Sequence, residues 1–397
     1  MNTITSKKVN RIVNIFAANF MLNSIGNTII SNTYVLFMAT TKGFTEKQIS
    51  LIFGILPLIS VFTFFIWGNI IDKYKKLLLI SKFVNIVNII SLFSLIWISN
   101  FKIFFIINFL RNILMQPSGV INDEYILNLS NKYNVRFGKI RVFATVGYGI
   151  AGVLCTIALK FISPSYTIIM ASIFVILNLI GLFFLPEITE PIKIIKKEDN
   201  ILYSIISIVK IKDFRNFLLT HGVLTATITS ATGYAIPLIL IKLNAPNFYI
   251  GMLPILMIVF EILLLPFIEK CNFYKDINKV LKIAIILLLF RWLIIGVSNS
   301  YIIIVSITLI HGLINAILLP LPNKVVWNYV PKEKHSTAII IYNLCGYTIF
   351  PSIINMLTTY MSDSFGIKVY GLTYFVLTLL SLLILIKYKF KENQIEK

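Results

Sequence analysis

Three ionisable side chains, Glu261, Arg291 and His311, lie inside runs of about 20 mostly apolar residues, the length that crosses a bilayer as a helix. An acid, a base and a fixed cation in such surroundings can take up, hold and release a proton. Helices rise about 1.5 Å per residue; if these cross inward, outward and inward from near Tyr249, Ile277 and Tyr301, Glu261 and His311 fall roughly 15 to 18 Å below the outer surface. Arg291 falls somewhat nearer that surface, so the three can meet near the midplane as a proton-handling cluster. The alternative is a buried structural network in which Glu261 neutralises Arg291 and a neighbour satisfies His311.

The elements that must position them are membrane spans. With 57% hydrophobic residues and a mean hydropathy of +0.87, the 397-residue chain lies far outside soluble composition and has room for a dozen crossings. The runs fall at 12–38, 48–71, 77–98, 103–122, 139–161 and 164–185, then 214–241, 249–269, 277–298, 300–325, 336–361 and 369–387. The expected fold is an all-α membrane protein of twelve transmembrane helices in two six-helix bundles, residues 1–185 and 214–397, joined by a linker at 186–213. Within the linker, ILYSIISIVKI can lie as a short amphipathic helix on the inner face. The first run is too long for a signal-peptide core and reads as a retained helix.

The net charge of +20 would suit a nucleic-acid binder if the cations clustered on one module. Instead 28 of the 36 Lys and Arg fall on one side of the span map and 6 on the other, with Arg111 and Arg291 inside spans. The rich side is cytoplasmic by the positive-inside rule, which puts both termini inside, in the cell membrane. No nucleic-acid partner is expected; the bilayer is the partner, and a monomer is the expected working unit. The three cysteines form neither a disulfide framework nor a metal site. Gly147, Gly149 and Gly152 spell GxGxxG but follow no strand, so they read as small residues for close helix packing and not as a dinucleotide site.

Asn19, Asn23 and Asn27 recur every four residues on one face of the first span, and His221, Thr225 and Thr229 do the same in the seventh. Such stripes line a wet cavity or bond to neighbouring helices. Trp67, Trp97 and Trp327 stand near span ends, as headgroup anchors do. Trp292, beside Arg291, is deep enough to stack on a solute or to pack. Arg111 lies well inside the fourth span, where it can bond to backbone carbonyls or Asn side chains. Asp123 ends that span and Arg141 begins the next, so the two can pair at similar depth.

Between spans two and three stands GNIIDKYKK, from Gly68 to Lys76; Gly68 lets two helices approach closely and Asp72 can accept from amides at a helix start. Here the chain resembles the major facilitator superfamily, whose loop at this place reads Gly, three residues, Asp, then Arg or Lys. That resemblance implies a conformational latch at Gly68, Asp72 and Lys73. It extends to Arg111, since proton-coupled members often carry an arginine in this helix. FGKIRVFATVGY is similar to the segment opening the fifth helix in the lactose-permease-like and phenylpropionate-permease-like branch. The likeness makes Asp123 and Arg141 a substrate-orienting pair and places Tyr148 where an aromatic ring stacks on a sugar. In the second half, Glu261, Arg291-Trp292 and Ile310-His311 stand where that branch shows its acid, Arg-Trp and Leu-His or similar pairs. Thr229 stands where the branch often has a histidine.

The resemblance implies a secondary active transporter that takes up a small organic solute of the sugar, nucleoside or aromatic acid class by alternating access. Protons would couple through Glu261, His311, Arg291 and Asp123. Substrate would be bound by Asp123, Arg141, Tyr148, Asn23, Asn27, Thr229, Trp292 and Arg111. No cofactor is expected beyond a proton gradient, and no enzymatic motif stands out. An efflux antiporter or facilitator of the same fold is the competing reading, though GYGIAGVLC lacks the proline of many exporters. From another class, a membrane sensor or scaffold would bind ligand without moving it.

Overall fold

In the computed structural model, residues 3–187 and 201–390 are described, apart from 75, 134–136, 269–270, 272–273 and 275. The helix Leu77–Trp97 shows what solvent these residues are built for. Its buried face carries Ser81, Asn85, Asn88 and Ser91, while Leu79, Phe83, Ile86, Ile90, Phe93 and Trp97 are exposed along the other. A soluble helix turns its polar face outward; this one has the arrangement that hydrocarbon surroundings require. Among the described residues, ten helical stretches are long and apolar enough to cross a membrane by length and composition.

The chain divides into two compact units, Met1–Lys193 with Pro246–Ile255, and Ile194–Ala245 with Leu256–Lys397. In the first, α1 (Thr3–Leu36) runs on through a π-turn at Phe37–Thr41. It is followed by α2 (Glu46–Tyr74), α3 (Leu77–Trp97), α4 (Phe101–Met115), α5 (Ser118–Tyr133), α6 (Phe137–Phe161) and α7 (Ser165–Leu182). At one end α1, α2, α3, α5, α6 and α7 share a core of Phe16, Ile71, Leu78, Tyr125, Ile140 and Leu182 with their neighbours. Phe16 stacks on Tyr125 at 4.6 Å, and the Tyr125 hydroxyl donates to the Pro186 carbonyl at 2.7 Å. The adjoining Glu187 carboxylate accepts from the Leu78 amide at 3.1 Å, satisfying one of the amides that every helix start leaves open.

Two expected crossings do not stand among the ten. The first exists as α1, but its asparagines at 14, 19, 23 and 27 lower its hydropathy. The fourth is broken at Gln116–Pro117, where proline cannot continue the amide ladder, and helix resumes as α5 through Tyr133. Asp123 therefore does not end this crossing as expected; it lies inside α5. Hydropathy stops at the polar residues, whereas the backbone continues because nothing in INDEYILNLSNKY forbids helix.

The second unit begins with α8 (Ile201–Val209), in the segment expected to be amphipathic. Ile208 is fully buried and Ile206 half exposed, and Lys334 Nζ donates to Ser207 Oγ at 2.8 Å, so the helix docks on this unit. There follow α9 (Lys212–Phe217), α10 (Val223–Ser230) and α11 (Ile236–Lys242), joined by π-turns at Leu218–Gly222 and Ala231–Ala235 into one span. Next are α12 (Phe248–Ile268), whose first turns group with the first unit, and α13 (Ile277–Val297), capped by Asp276, whose carboxylate accepts from the Asn278 amide at 2.8 Å. The remainder is α14 (Tyr301–Ile307), α15 (Ile310–Leu318), α16 (Leu321–Tyr329), α17 (His335–Leu344), a π-turn at Cys345–Ile349, α18 (Phe350–Phe365) and α19 (Lys368–Lys387).

Of the glycines expected to permit close helix approach, two do so and two do not. A Cβ added at Gly68 or Gly149 would meet nothing within 4 Å, so neither mediates tight packing. At Gly147 it would stand 2.7 Å from the Met21 carbonyl oxygen, and at Gly152 2.7 Å from Ile255. The side chains of Asp72 and Lys73, the rest of the expected latch, lie outside the described residues.

Candidate functional site

The second unit gathers Glu261, Arg291 and His311, but not as one triad. The α13 helix carries Arg291 into a fully buried position. A two-residue interruption between α14 and α15, where the His311 amide donates to the Thr308 carbonyl at 3.0 Å, delivers His311 opposite it. Arg291 Nη1 donates to His311 Nδ1 at 3.2 Å. A guanidinium has no acceptor, so Nδ1 must accept, and the imidazole is neutral with its proton on Nε2. The guanidinium also lies over the Trp292 ring at 4.7 Å, and that ring packs at 5.2 Å from Tyr374. Trp292 is completely buried, so it packs within this unit and presents no face to a solute in this state.

Glu261 takes a different partner. Gly312, next to His311, brings α15 so near α12 that an added Cβ would stand 2.7 Å from the Met257 carbonyl oxygen and 2.8 Å from the Glu261 amide nitrogen. One turn on, Asn315 Nδ2 donates to Glu261 Oε2 at 2.7 Å. No ion pair joins Glu261 to Arg291 among the described residues, which counts against the alternative in which one neutralises the other. Arg291 Nε and Nη2 and Trp292 Nε1 are buried without a hydrogen-bond partner among the described residues. A cation at the centre of a membrane helix costs about 2.5–3.5 kcal/mol on insertion scales, so this one is held at some expense.

Asn315 also lines a narrow cleft, of about 20 Å³ in this state, with His221, Thr225, Thr229, Leu318 and Tyr347. His221 Nε2 donates to the Leu318 carbonyl at 3.0 Å, its Nδ1 faces the Tyr342 hydroxyl at 2.9 Å, and that hydroxyl lies 2.9 Å from Thr225 Oγ1. The seventh-span stripe thus does both things expected of it: His221 and Thr225 bond to neighbouring helices, and Thr229, partly buried, faces the cleft. Both His221 and Tyr347 sit in π-turns, a distortion often found at functional sites. Sequence reasoning passed over Asn315, Tyr342 and Tyr347. The signal for Asn315 was present, since it stands four residues after His311 on the same helical face.

In the first unit, Arg141 Nη1 donates to Asp123 Oδ1 at 3.1 Å, with the side chains 57% and 55% exposed. Tyr148, partly buried, follows Arg141 by two turns on the same face of α6. Exposed ion pairs contribute little, so the double variant Asp123→Asn with Arg141→Gln is expected to change stability by less than about 1 kcal/mol in thermal unfolding. A fall in solute uptake far beyond that change marks the pair as substrate-orienting; an equal, small change in both marks it as an ordinary tie between helices.

The asparagine stripe of α1 divides as well. Asn19 is buried and, in the amide orientation that satisfies both its groups, donates to the Asn178 carbonyl at 3.2 Å and accepts from the Leu182 amide at 3.0 Å. Asn27 donates to Asn23 at 3.2 Å, and both are partly buried. Arg111 on α4 is partly buried, and its Nε donates to Asn88 Oδ1 at 2.9 Å, the asparagine contact expected of it. Trp97 and Trp327 are exposed at helix ends, whereas Trp67 donates to the Ile113 carbonyl at 2.8 Å and so ties α2 to α4.

The model of the MFS_1 like family matches residues 33–353. The nucleoside transporter NupG, in a mutant form, is similar in structure, with a TM-score of 0.78 at 16% identity over 95% of this chain and 98% of that one. A POT family transporter in complex with a thioalcohol-conjugated peptide has a TM-score of 0.72 at 13% identity, over 95% and 96% of the two chains. A D-xylose-proton symporter has a TM-score of 0.72 at 13% identity, over 96% and 98%. No curated protein matches in sequence.

Proposed function

The chain belongs to the MFS_1 like family and has the fold of its secondary transporters, and from that premise we propose that it takes up a small organic solute together with protons. Glu261 is the proton carrier in this reading. The observation that carries it is the partner of Glu261: a neutral amide, Asn315, on one oxygen, and, among the described residues, no cation. Such a carboxyl can gain a proton without breaking an ion pair, and its link through Asn315 to the cleft couples its charge to whatever occupies that cleft.

Arg291 and His311 complete the scheme. With Arg291 underpaired and His311 neutral one residue from the Gly312 contact, a small movement of α15 past α12 and α13 brings cation and carboxylate together and expels the proton. Thr229, Asn315 and Tyr347 offer hydrogen bonds to the solute, and both termini face the cytoplasm. In proteoliposomes, adding the right sugar, nucleoside or aromatic acid outside is expected to raise the external pH as protons enter with it. Solute entry with no proton movement would reduce the protein to a facilitator.

A further inference from the structure

We infer that the solute is an oxyanion, a carboxylate or phosphate, and that Arg111 receives its charge. This rests on the transport reading and names the substrate class within it. The inference starts from a cation with no counter-charge. Arg111 stands on α4 and uses only its Nε, which donates to Asn88 Oδ1; among the described residues its two Nη groups make no hydrogen bond and no ion pair. Asn88 is itself 1% exposed, so the guanidinium is anchored at its Nε edge by a fixed, buried group.

Among the described residues its polar neighbours are neutral. The Tyr34 hydroxyl donates to Asn108 Oδ1, and Asn108 Nδ2 donates to the Phe104 carbonyl at 2.9 Å, so both polar side chains on this side are already engaged. Two acids of the unit bond elsewhere: Asp123 with Arg141, and Glu187 with the Leu78 amide. A guanidinium tethered at Nε and open at both Nη groups is the fork that binds an oxyanion through two parallel hydrogen bonds. A neutral sugar or amide would leave the charge unmatched in low dielectric, where the mismatch matters most.

The charge ledger of the spans agrees. Among the described residues of the second unit, Arg291 stands with His311 and no carboxylate on either, while Glu261 rests on an amide. Among the described residues, the buried charges counted are thus two cations, one in each unit, and one acid that the transport reading fills with a proton, and an anionic solute supplies the missing negative charge.

The test uses the purified full-length protein in lipid-free detergent, with thermal unfolding as readout and benzoate, succinate and inorganic phosphate as probes against benzamide and succinamide. Charge-assisted hydrogen bonds lead us to expect at least one oxyanion to bind about tenfold more tightly than its neutral counterpart. Arg111→Gln is expected to erase that preference, Arg111→Lys to keep part of it, and Lys102→Gln, an exposed charge at the start of the same helix, to leave it intact. If Arg111→Gln does not fold, the Arg111→Lys variant and the acid-to-amide comparison on the native protein decide the matter. The inference falls if no oxyanion shifts the unfolding temperature, if amides bind as well as acids, or if the preference survives Arg111→Gln. Counterflow of a neutral solute with no anion binding sinks the anion and spares the transporter; Arg111-dependent binding without counterflow does the reverse.

Discussion

Replacing Glu261 with Gln is expected to abolish solute-driven alkalinisation in proteoliposomes and to lower accumulation against a gradient by on the order of tenfold or more. Counterflow of labelled solute down its own gradient should persist. The two outcomes separate because glutamine keeps the shape of the side chain and still accepts from Asn315 through its amide oxygen, so the α12–α15 contact at Gly312 survives. Only the ability to change charge is removed. A carrier that no longer alternates between charged and neutral forms can reorient with solute but cannot draw on the proton gradient. Undiminished coupling in the variant would remove Glu261 from the role and leave Asp123 as the remaining acid to test.

Gly371→Val is expected to destabilise the second unit by about 3 kcal/mol, read as a lower unfolding temperature in detergent and a smaller folded yield. The α13 and α19 helices cross there backbone to backbone. An added Cβ at Gly371 would meet the Gly296 amide nitrogen, would stand 2.6 Å from its Cα and 2.8 Å from the Ile295 carbonyl carbon, and these are main-chain atoms that cannot step aside. Separating the helices would also unseat Trp292 on α13 from Tyr374 on α19, and with it the ring beneath Arg291. Gly149→Ala serves as the contrast. Nothing lies within 4 Å of its added Cβ, so the change should be neutral or stabilising by up to about 1 kcal/mol through helix propensity alone. Equal unfolding temperatures for native protein and Gly371→Val would refute the close-packing account.

The spans were legible because a bilayer asks for one property, apolar length, which any window of sequence displays. The polar exceptions were legible for the same reason, and Glu261, Arg291, His311 and Arg111 stood out by contrast. What could not be read was azimuth. Depth along a helix follows from counting residues, but which neighbour a side chain meets depends on how each helix is rotated, and that is set by packing. Glu261 and Arg291 were close in depth, yet Glu261 met Asn315 and Arg291 met His311. Gly68 is a second case: its letter permits close approach, but no described atom lies within 4 Å of its added Cβ. The break at Gln116–Pro117 was visible in the proline, and hydropathy overrode it.

Among the described residues, three spans or their ends contain four π-turns, at Phe37–Thr41, Leu218–Gly222, Ala231–Ala235 and Cys345–Ile349. Each winds one residue more than an ordinary turn, and one residue swings an α-helix by about 100°. Loss or gain of a single codon at 218–222 or 345–349 would therefore leave the span's length and hydropathy almost untouched while rotating a whole new set of side chains toward the cleft that His221 and Tyr347 line. A lineage with such hinges in its reading frame can exchange what it recognises by indel, without a substitution in the pocket, and letter-by-letter alignment of its members will slip by one at those places.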